Sequence, residues 1–222
     1  MRRFNDAAPE LSKPLSEVIY LYSLYVSEKA HYERDQHIMD PLTFPPSART
    51  AEVMTRCVLF RDYQLSWPQL YEAEKTLLLG QIGEHLTTIE HIGSTSVPGL
   101  SAKPIIDMLV GVETLDQADV CVTPLHQLGY EYLPHRTAFT SARRFFRKYP
   151  AGGFVGYHLH LLQPSNRYWM VLLGFRNYLR QHTQVAHHYS LLKQQLAEQF
   201  PTDPLAYLRG KADFIQAVLQ VA

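Results

Sequence analysis

The stretch that most constrains the fold is IEHIGSTSVPGLSAKPIIDMLVGV, residues 89–112. Its two ends are apolar, and the polar segment between them contains two Gly and two Pro. This pattern predicts two strands joined by a tightly turned loop. A carboxylate, Asp107, lies inside the second apolar run, where burial without a partner would be costly. The stretch therefore predicts a ligand site where the loop meets the second strand.

The rest of the chain predicts an α+β fold. The expected strands are 58–60, 86–93, 103–112, 143–149 and 156–164, and the last two form a hairpin. The expected helices run from an N-cap at Ser66 to about Ile82, over 114–130, and over 166–181, 184–199 and 203–220. Within the second helix Pro124 predicts a break and Gly129 a C-terminal stop, and Thr202 or Asp203 caps the last helix. This order is not the steady β-α alternation of a doubly wound sheet, so it predicts a mixed sheet with flanking helices and a C-terminal helical region.

Residues 1–55 predict a separate N-terminal extension before a main domain over 56–222. A helix is expected from Pro14 to Arg34, followed by a proline-rich linker over 40–50. Apolar side chains surround much of this helix, which is consistent with packing on its own domain or with a homodimer. A shortened chain that begins near Thr55 is expected to fold.

Composition excludes several classes of protein. The formal net charge is zero, so the chain has no broad nucleic-acid-binding surface, and any phosphate site must be local. No apolar run is long enough to span a membrane, and the N-terminus lacks a secretory signal, which predicts a cytoplasmic protein.

The polar loop has the chemistry of a phosphate site. Gly93 lets the backbone approach a ligand closely, and the hydroxyl groups that follow can donate hydrogen bonds to phosphate oxygens. Asp107 can hold Mg²⁺ beside those oxygens. The expected phosphate-binding residues of this loop are Gly93, Ser94, Thr95, Ser96 and Lys103.

This spacing resembles the nucleotidyltransferase fold typified by DNA polymerase beta, in which a strand ending in Gly-Ser precedes a strand with Asp-x-Asp. Here the second acidic position is Leu109. A longer resemblance, to the GrpB family, rests on EHIGSTSVPGLSAKPIIDMLVGV, FRDYQLSWPQLYEAEK, RRFFRKYP and YHLHLLQP, and it covers about residues 57–222. It implies a nucleotidyltransferase-like fold and nucleotidyltransferase activity, and fusions of some members to dephospho-CoA kinase imply nucleotide or coenzyme A metabolism.

Two histidines supply the remaining catalytic candidates. His158 and His160 are two apart on a strand and so share a face. With Asp107 they could replace the superfamily's acidic ligands and hold a divalent metal such as Mg²⁺, Mn²⁺ or Zn²⁺, the imidazoles favouring a transition metal. The alternative is that both histidines only form hydrogen bonds in the wall of a cleft.

Other basic and polar residues are weaker candidates. His91 shares its strand face with Gly93, and Arg144 and Lys148 share a face of the basic strand RRFFRKY. Lys211 lies four residues after Tyr207 on a helix that, by resemblance, covers the nucleotide. For each of these residues a purely structural role is the alternative.

The sequence therefore predicts a metal-dependent nucleotidyl- or phosphoryl-transferase that uses a nucleoside triphosphate and a small acceptor. The alternatives are a non-catalytic protein that binds a nucleotide or another phosphorylated small molecule, and an interaction protein that docks through residues 1–55. The missing second acid supports the non-catalytic alternative.

Overall fold

The computed structural model describes residues 60–133, 142–151, 155–201 and 203–221. The predicted helix over 14–34, the proline-rich linker and the proposed dimer contact lie outside these residues, as does most of the predicted strand over 58–60. At the start of the described region Arg61 forms an isolated antiparallel bridge with Ala102.

The core of the fold is a five-stranded mixed sheet in the order β1-β2-β5-β4-β3. Its strands are β1 (Thr88–Ile92), β2 (Ile105–Gly111), β3 (Glu131–Tyr132), β4 (Arg144–Lys148) and β5 (Gly156–Leu162). The central pair β2–β5 is parallel, and the other neighbouring pairs are antiparallel. The predicted hairpin of β4 and β5 is confirmed.

Helices cover both faces of this sheet. Before the first strand lies α1 (Ser66–Ile82), and between β2 and β3 lie α2 (Leu115–Val120) and α3 (Val122–Gln127). The C-terminal region consists of α4 (Arg167–Gln181), α5 (Thr183–Gln199) and α6 (Pro204–Leu219). In the described residues, no helix combines the length and apolar character needed to cross a bilayer.

The two faces of the sheet differ in chemistry because side chains alternate along each strand. One face supplies the main apolar core with α1, α2 and α3, and its strand residues include Ile106, Met108, Leu159 and Phe146. The opposite face carries Asp107, His158 and His160 near one end. At its other end Leu109 packs with Tyr168 and Trp169 of α4.

The structure changes two local predictions and agrees with two others. Ser66 is the first residue of α1 rather than its N-cap, which is Leu65 and has no side-chain hydrogen bond. The single helix predicted over 114–130 is two short helices that meet at Cys121. Because Pro124 has no N–H, it cannot continue the helical hydrogen bonds across that point. Asp203 caps α6 through a 3.0 Å bond from the Ala206 N–H, and Gly129 adopts φ +84° at its helix end, both as predicted.

A buried ion pair crosses the main core. Lys148 of β4 pairs with Glu74 of α1, whose side chain is 5% exposed. Glu74 Oε1 also accepts a 2.9 Å hydrogen bond from the Tyr130 hydroxyl, and the Lys148 ammonium lies over the ring of Tyr130. The carboxylate is thus the group that satisfies both buried partners.

Replacement of Glu74 by Ala is expected to destabilise the fold by about 3 kcal/mol, because it leaves the Lys148 ammonium buried without its carboxylate. Urea unfolding followed by circular dichroism measures this difference. Glu72→Ala, on the same helix but 65% exposed, serves as the control and is expected to change stability by less than about 0.5 kcal/mol. Equal effects of the two substitutions would contradict the assigned role of Glu74.

Candidate phosphate-binding cleft

Asp107 lies against the turn that leaves β1. In the sheet it is paired with Ile92 of β1 on one side and with His158 of β5 on the other. Gly93 follows Ile92 with φ +71°, and a Cβ built on it would lie 2.5 Å from Asp107 Oδ2. Only glycine fits here, because any side chain would strain the backbone and collide with the carboxylate.

The predicted convergence of Asp107, His158 and His160 is confirmed. Asp107 Oδ1 lies 3.2 Å from His158 Nδ1 and 3.8 Å from His160 Nε2. The buried Arg143 guanidinium donates to His160 Nδ1 at 3.2 Å. Burial lowers the pKa of His160 to about 3 against the smaller opposing effect of Asp107, so this imidazole is neutral at physiological pH.

The metal centre that the sequence predicts for these three side chains stays a prediction, and here they form a hydrogen-bonded cluster. Both ring nitrogens of His158 form hydrogen bonds, Nδ1 with Asp107 and Nε2 with the Tyr149 hydroxyl at 3.1 Å. A metal ion bound here would have to replace one of these hydrogen bonds, because ligation needs a lone pair directed at the ion. Across the residues that the structure describes, no cluster of three or more His, Cys, Asp or Glu side chains could hold a metal ion.

A cleft opens beside Asp107, between the Gly93 turn and the C-terminal helices. Its volume is about 90 Å³, which suits a phosphate group better than a whole nucleotide. Its polar lining combines hydroxyl groups, one carboxylate and three ammonium groups: Ser94, Thr95, Asp107, Lys103, Lys193 and Lys211. The structure thus brings together the predicted Ser94, Thr95, Lys103, Asp107 and Lys211.

Lys193 of α5 is the cleft residue that the sequence interpretation missed. It is 3% exposed, and its Nζ bonds to Ser94 Oγ at 3.0 Å and to the Ser101 carbonyl at 2.7 Å. Burial lowers its pKa to about 7. The sequence feature that could have identified Lys193 is its position on the buried stripe of the helix, three residues from Ser190 and from Leu196. A lysine on such a stripe requires a polar partner.

An aromatic ring positions the other two lysines. The ammonium groups of Lys103 and Lys211 lie 5.1 Å and 4.4 Å from the centre of the Tyr207 ring. Lys211 and Tyr207 are on the same face of α6, as their spacing predicts. Cation–π attraction to one ring favours the placement of both charges in the lining of the cleft.

His91 does not line the cleft, contrary to the prediction. Gly93 leaves the strand with positive φ, so strand alternation does not extend to it, and His91 lies on the face opposite Asp107. Its ring stacks on Tyr71 at 4.7 Å, and its Nε2 contacts Thr95 Oγ1 at 3.1 Å. Burial lowers the pKa of His91 to about 4, so its ring is neutral where it contacts the Thr95 hydroxyl.

Three further predicted residues are engaged away from the cleft. Ser96 Oγ donates to the Gly93 carbonyl at 2.6 Å and so closes the turn. Arg144 forms a double hydrogen bond with Asp119 at 2.5 and 2.8 Å, and Lys148 pairs with Glu74. Both basic residues share the face of β4 that packs on α1, α2 and α3, and the cleft is on the other face. The charges of Arg144 and Lys148 therefore stabilise the fold through these ion pairs.

Replacing Gly93 by Ala is expected to destabilise the protein by about 2–4 kcal/mol, since the residue would combine left-handed backbone strain with overlap against Asp107. Thermal unfolding measures the loss. The control is Gly99→Ala, which has φ +78° but open space within 4 Å of its Cβ position, so it isolates the backbone strain. If the two variants lose the same stability, the close approach of the carboxylate has no energetic role.

Several known proteins are similar to this chain in sequence and in fold. The crystal structure of the GrpB protein from Enterococcus faecalis matches with a TM-score of 0.65 and 38% identity, over 73% of this chain and 96% of that one. The glutamate-rich protein GrpB of Alkalihalophilus pseudofirmus is 33% identical over 73% of this chain and 94% of its own length. The UPF0157 protein YqkA of Bacillus subtilis is 35% identical, and the match covers 69% of this chain but only 44% of that protein. The sequence model of the GrpB protein family matches residues 58–221, and the chain therefore belongs to the GrpB family.

Proposed function

We propose that this protein is a nucleotidyl- or phosphoryl-transferase that binds the phosphates of a nucleoside triphosphate in the cleft beside Asp107 and transfers a group to a small acceptor. The observation that carries the proposal is the set of three lysines, from three different parts of the chain, around one small cleft lined by hydroxyl groups. In this proposal Mg²⁺ arrives with the triphosphate as part of the substrate.

The charge balance of the cleft favours an anion. Three ammonium groups and one carboxylate line it, although the whole chain has a formal net charge of zero. A concentration of one sign of charge in a cleft attracts ligands of the opposite sign. Lysine is a point-charge partner for phosphate, and the Ser94 hydroxyl adds a donor, whereas the Thr95 hydroxyl donates to the Ile105 carbonyl at 2.9 Å.

Lys193 favours the binding of negative charge in the cleft. Its described polar partners, Ser94 Oγ and the Ser101 carbonyl, are uncharged. Burial therefore disfavours its ammonium form, and the pKa falls from 10.5 to about 7. An anion that enters beside Nζ would stabilise the protonated form, so binding is coupled to the uptake of a proton.

A non-catalytic phosphometabolite-binding protein is the second candidate. The specific observation in its favour is Leu109, which occupies the second acidic position of the nucleotidyltransferase pattern and is fully buried against α4. A single carboxylate cannot hold two metal ions in the usual way. Tight nucleotide binding without turnover would favour this candidate over the transferase.

The double substitution Ser94→Ala, Lys103→Ala is expected to weaken ATP binding by about 10- to 100-fold, because it removes a donor and a charge from the phosphate side of the cleft. Isothermal titration calorimetry with Mg²⁺ present measures the affinity. The melting temperature is expected to stay within a few degrees of the wild type. As a control, Arg209→Ala removes an exposed charge from α6 and is expected to leave the affinity nearly unchanged. Wild-type affinity in the double variant would refute the phosphate assignment of the loop.

Anion affinity is expected to depend on pH through Lys193. Because its folded pKa is near 7, the ammonium form dominates below pH 7 and is lost above it, so affinity should fall roughly tenfold per pH unit between pH 7 and pH 9. Sulfate is a suitable probe because it does not titrate in this range, and its affinity can be followed by chemical shift changes. Lys193→Met should bind weakly at every pH. A Lys193→Met profile that falls as steeply as the wild-type profile would assign the titration to another group.

A further inference from the structure

Tyr149, which the phosphate site does not use, completes a chain of hydrogen bonds that begins in the cleft. Asp107 Oδ1 lies 3.2 Å from His158 Nδ1, and His158 Nε2 lies 3.1 Å from the Tyr149 hydroxyl. The three side chains come from β2, β5 and the end of β4. Asp107 lines the cleft, and the chain continues from it through His158 to the end of β4.

The direction of these hydrogen bonds follows from their chemistry. An ionised carboxylate can only accept, so the proton between Asp107 and His158 belongs to Nδ1. In the neutral imidazole Nε2 then has a lone pair and accepts from the Tyr149 hydroxyl. The order carboxylate, imidazole, hydroxyl is the one that prepares a histidine to take a proton from a hydroxyl group.

Glycines make room at both ends of this chain. Gly93 allows the backbone to pass the Asp107 carboxylate, and a Cβ on Gly156 would collide with the ring of Tyr149. Between them the ring of Phe145 packs edge-on against His158, with ring centres 5.2 Å apart. His158 itself is 5% exposed. The imidazole is therefore held in orientation by its two hydrogen bonds and by its aromatic neighbour, as a positioned base must be.

We propose that Asp107, His158 and Tyr149 form a proton relay that activates the acceptor, and that the acceptor of this protein is therefore a hydroxyl compound. This inference rests on the transferase function proposed above. The relay supplies general-base catalysis from protein side chains, whereas the sequence assigned the same aspartate and histidine to a metal.

The proposed step is balanced within the site. The acceptor hydroxyl gives its proton to Tyr149 Oη while the tyrosine proton moves to His158 Nε2, and the acceptor oxygen bonds to phosphorus. The bond from that phosphorus to the leaving phosphate oxygen breaks, and pyrophosphate or a nucleoside diphosphate leaves with the electron pair. The Asp107 carboxylate stabilises the imidazolium that forms.

The first test reads the hydrogen bonds directly by ¹⁵N NMR of the histidine side chains in the full chain. His158 is expected to be protonated at Nδ1, and its Nε2 resonance is expected to shift in Tyr149→Phe. Tyr132→Phe removes a hydroxyl from β3, where the ring packs on Phe146 in the main core, and should leave that resonance unchanged. A His158 protonated at Nε2, or a Nε2 resonance that is insensitive to Tyr149→Phe, would overturn the relay.

The second test measures release of pyrophosphate and ADP from ATP with Mg²⁺, with glycerol or water as the hydroxyl acceptor. His158→Gln is expected to lower the rate at least about 100-fold and Tyr149→Phe about tenfold, with ATP affinity by calorimetry within about twofold of wild type. Tyr132→Phe is expected to keep the wild-type rate. If the wild type binds ATP without turnover, the transferase and the relay both fail. If His158→Gln retains the rate of an active wild type, the relay fails alone.

Discussion

The close approach of the Gly93 backbone to the Asp107 carboxylate is the constraint on which the rest of the site depends. A carboxylate in the middle of an apolar strand needs space and partners, and the turn after β1 gives it space only because residue 93 has no Cβ. The same turn directs Ser94 and Thr95 into the cleft, where Lys193 bonds to Ser94. One backbone conformation therefore sets both the acid and the hydroxyl groups of the site.

Charged side chains have different surroundings on the two faces of the sheet. On the face that packs against α1, α2 and α3, Lys148 and Arg144 meet Glu74 and Asp119 in pairs that stabilise the fold. On the opposite face Asp107 lies near the neutral imidazole of His160, and the lysines of the cleft have hydroxyl, carbonyl and aromatic contacts. Positive charge lies in ion pairs with carboxylates on the first face and lines the cleft on the second. A chain with no net charge can in this way have a local concentration of positive charge.

Most of the secondary structure could be predicted because it depends on local patterns. The alternation of apolar and polar residues identified β4 and β5, and the helical spacing of apolar residues identified the three C-terminal helices. The loop, Asp107 and the histidine pair were also predictable, since their spacing and their shared face are properties of a single segment. Lys193 and Tyr149 were not, because their roles come from contacts across 99 residues to Ser94 and across the β4–β5 hairpin to His158. The error at His91 has a local cause, since one glycine with positive φ ended the alternation on which the prediction relied.

Leu109 stands at the second acidic position of the nucleotidyltransferase pattern, and its surroundings explain why an acid would be unfavourable there. Its side chain is completely buried and packs with Ile92, Tyr168 and Trp169, so it forms part of the contact between the sheet and α4. A carboxylate there would lie in an apolar cluster, where desolvation would raise its pKa and favour the neutral form. In place of a second acid, the sheet therefore has packing that anchors the C-terminal helices. Those helices in turn carry Lys193 and Lys211, so the packing that excludes the acid also brings the positive charge of the cleft into place.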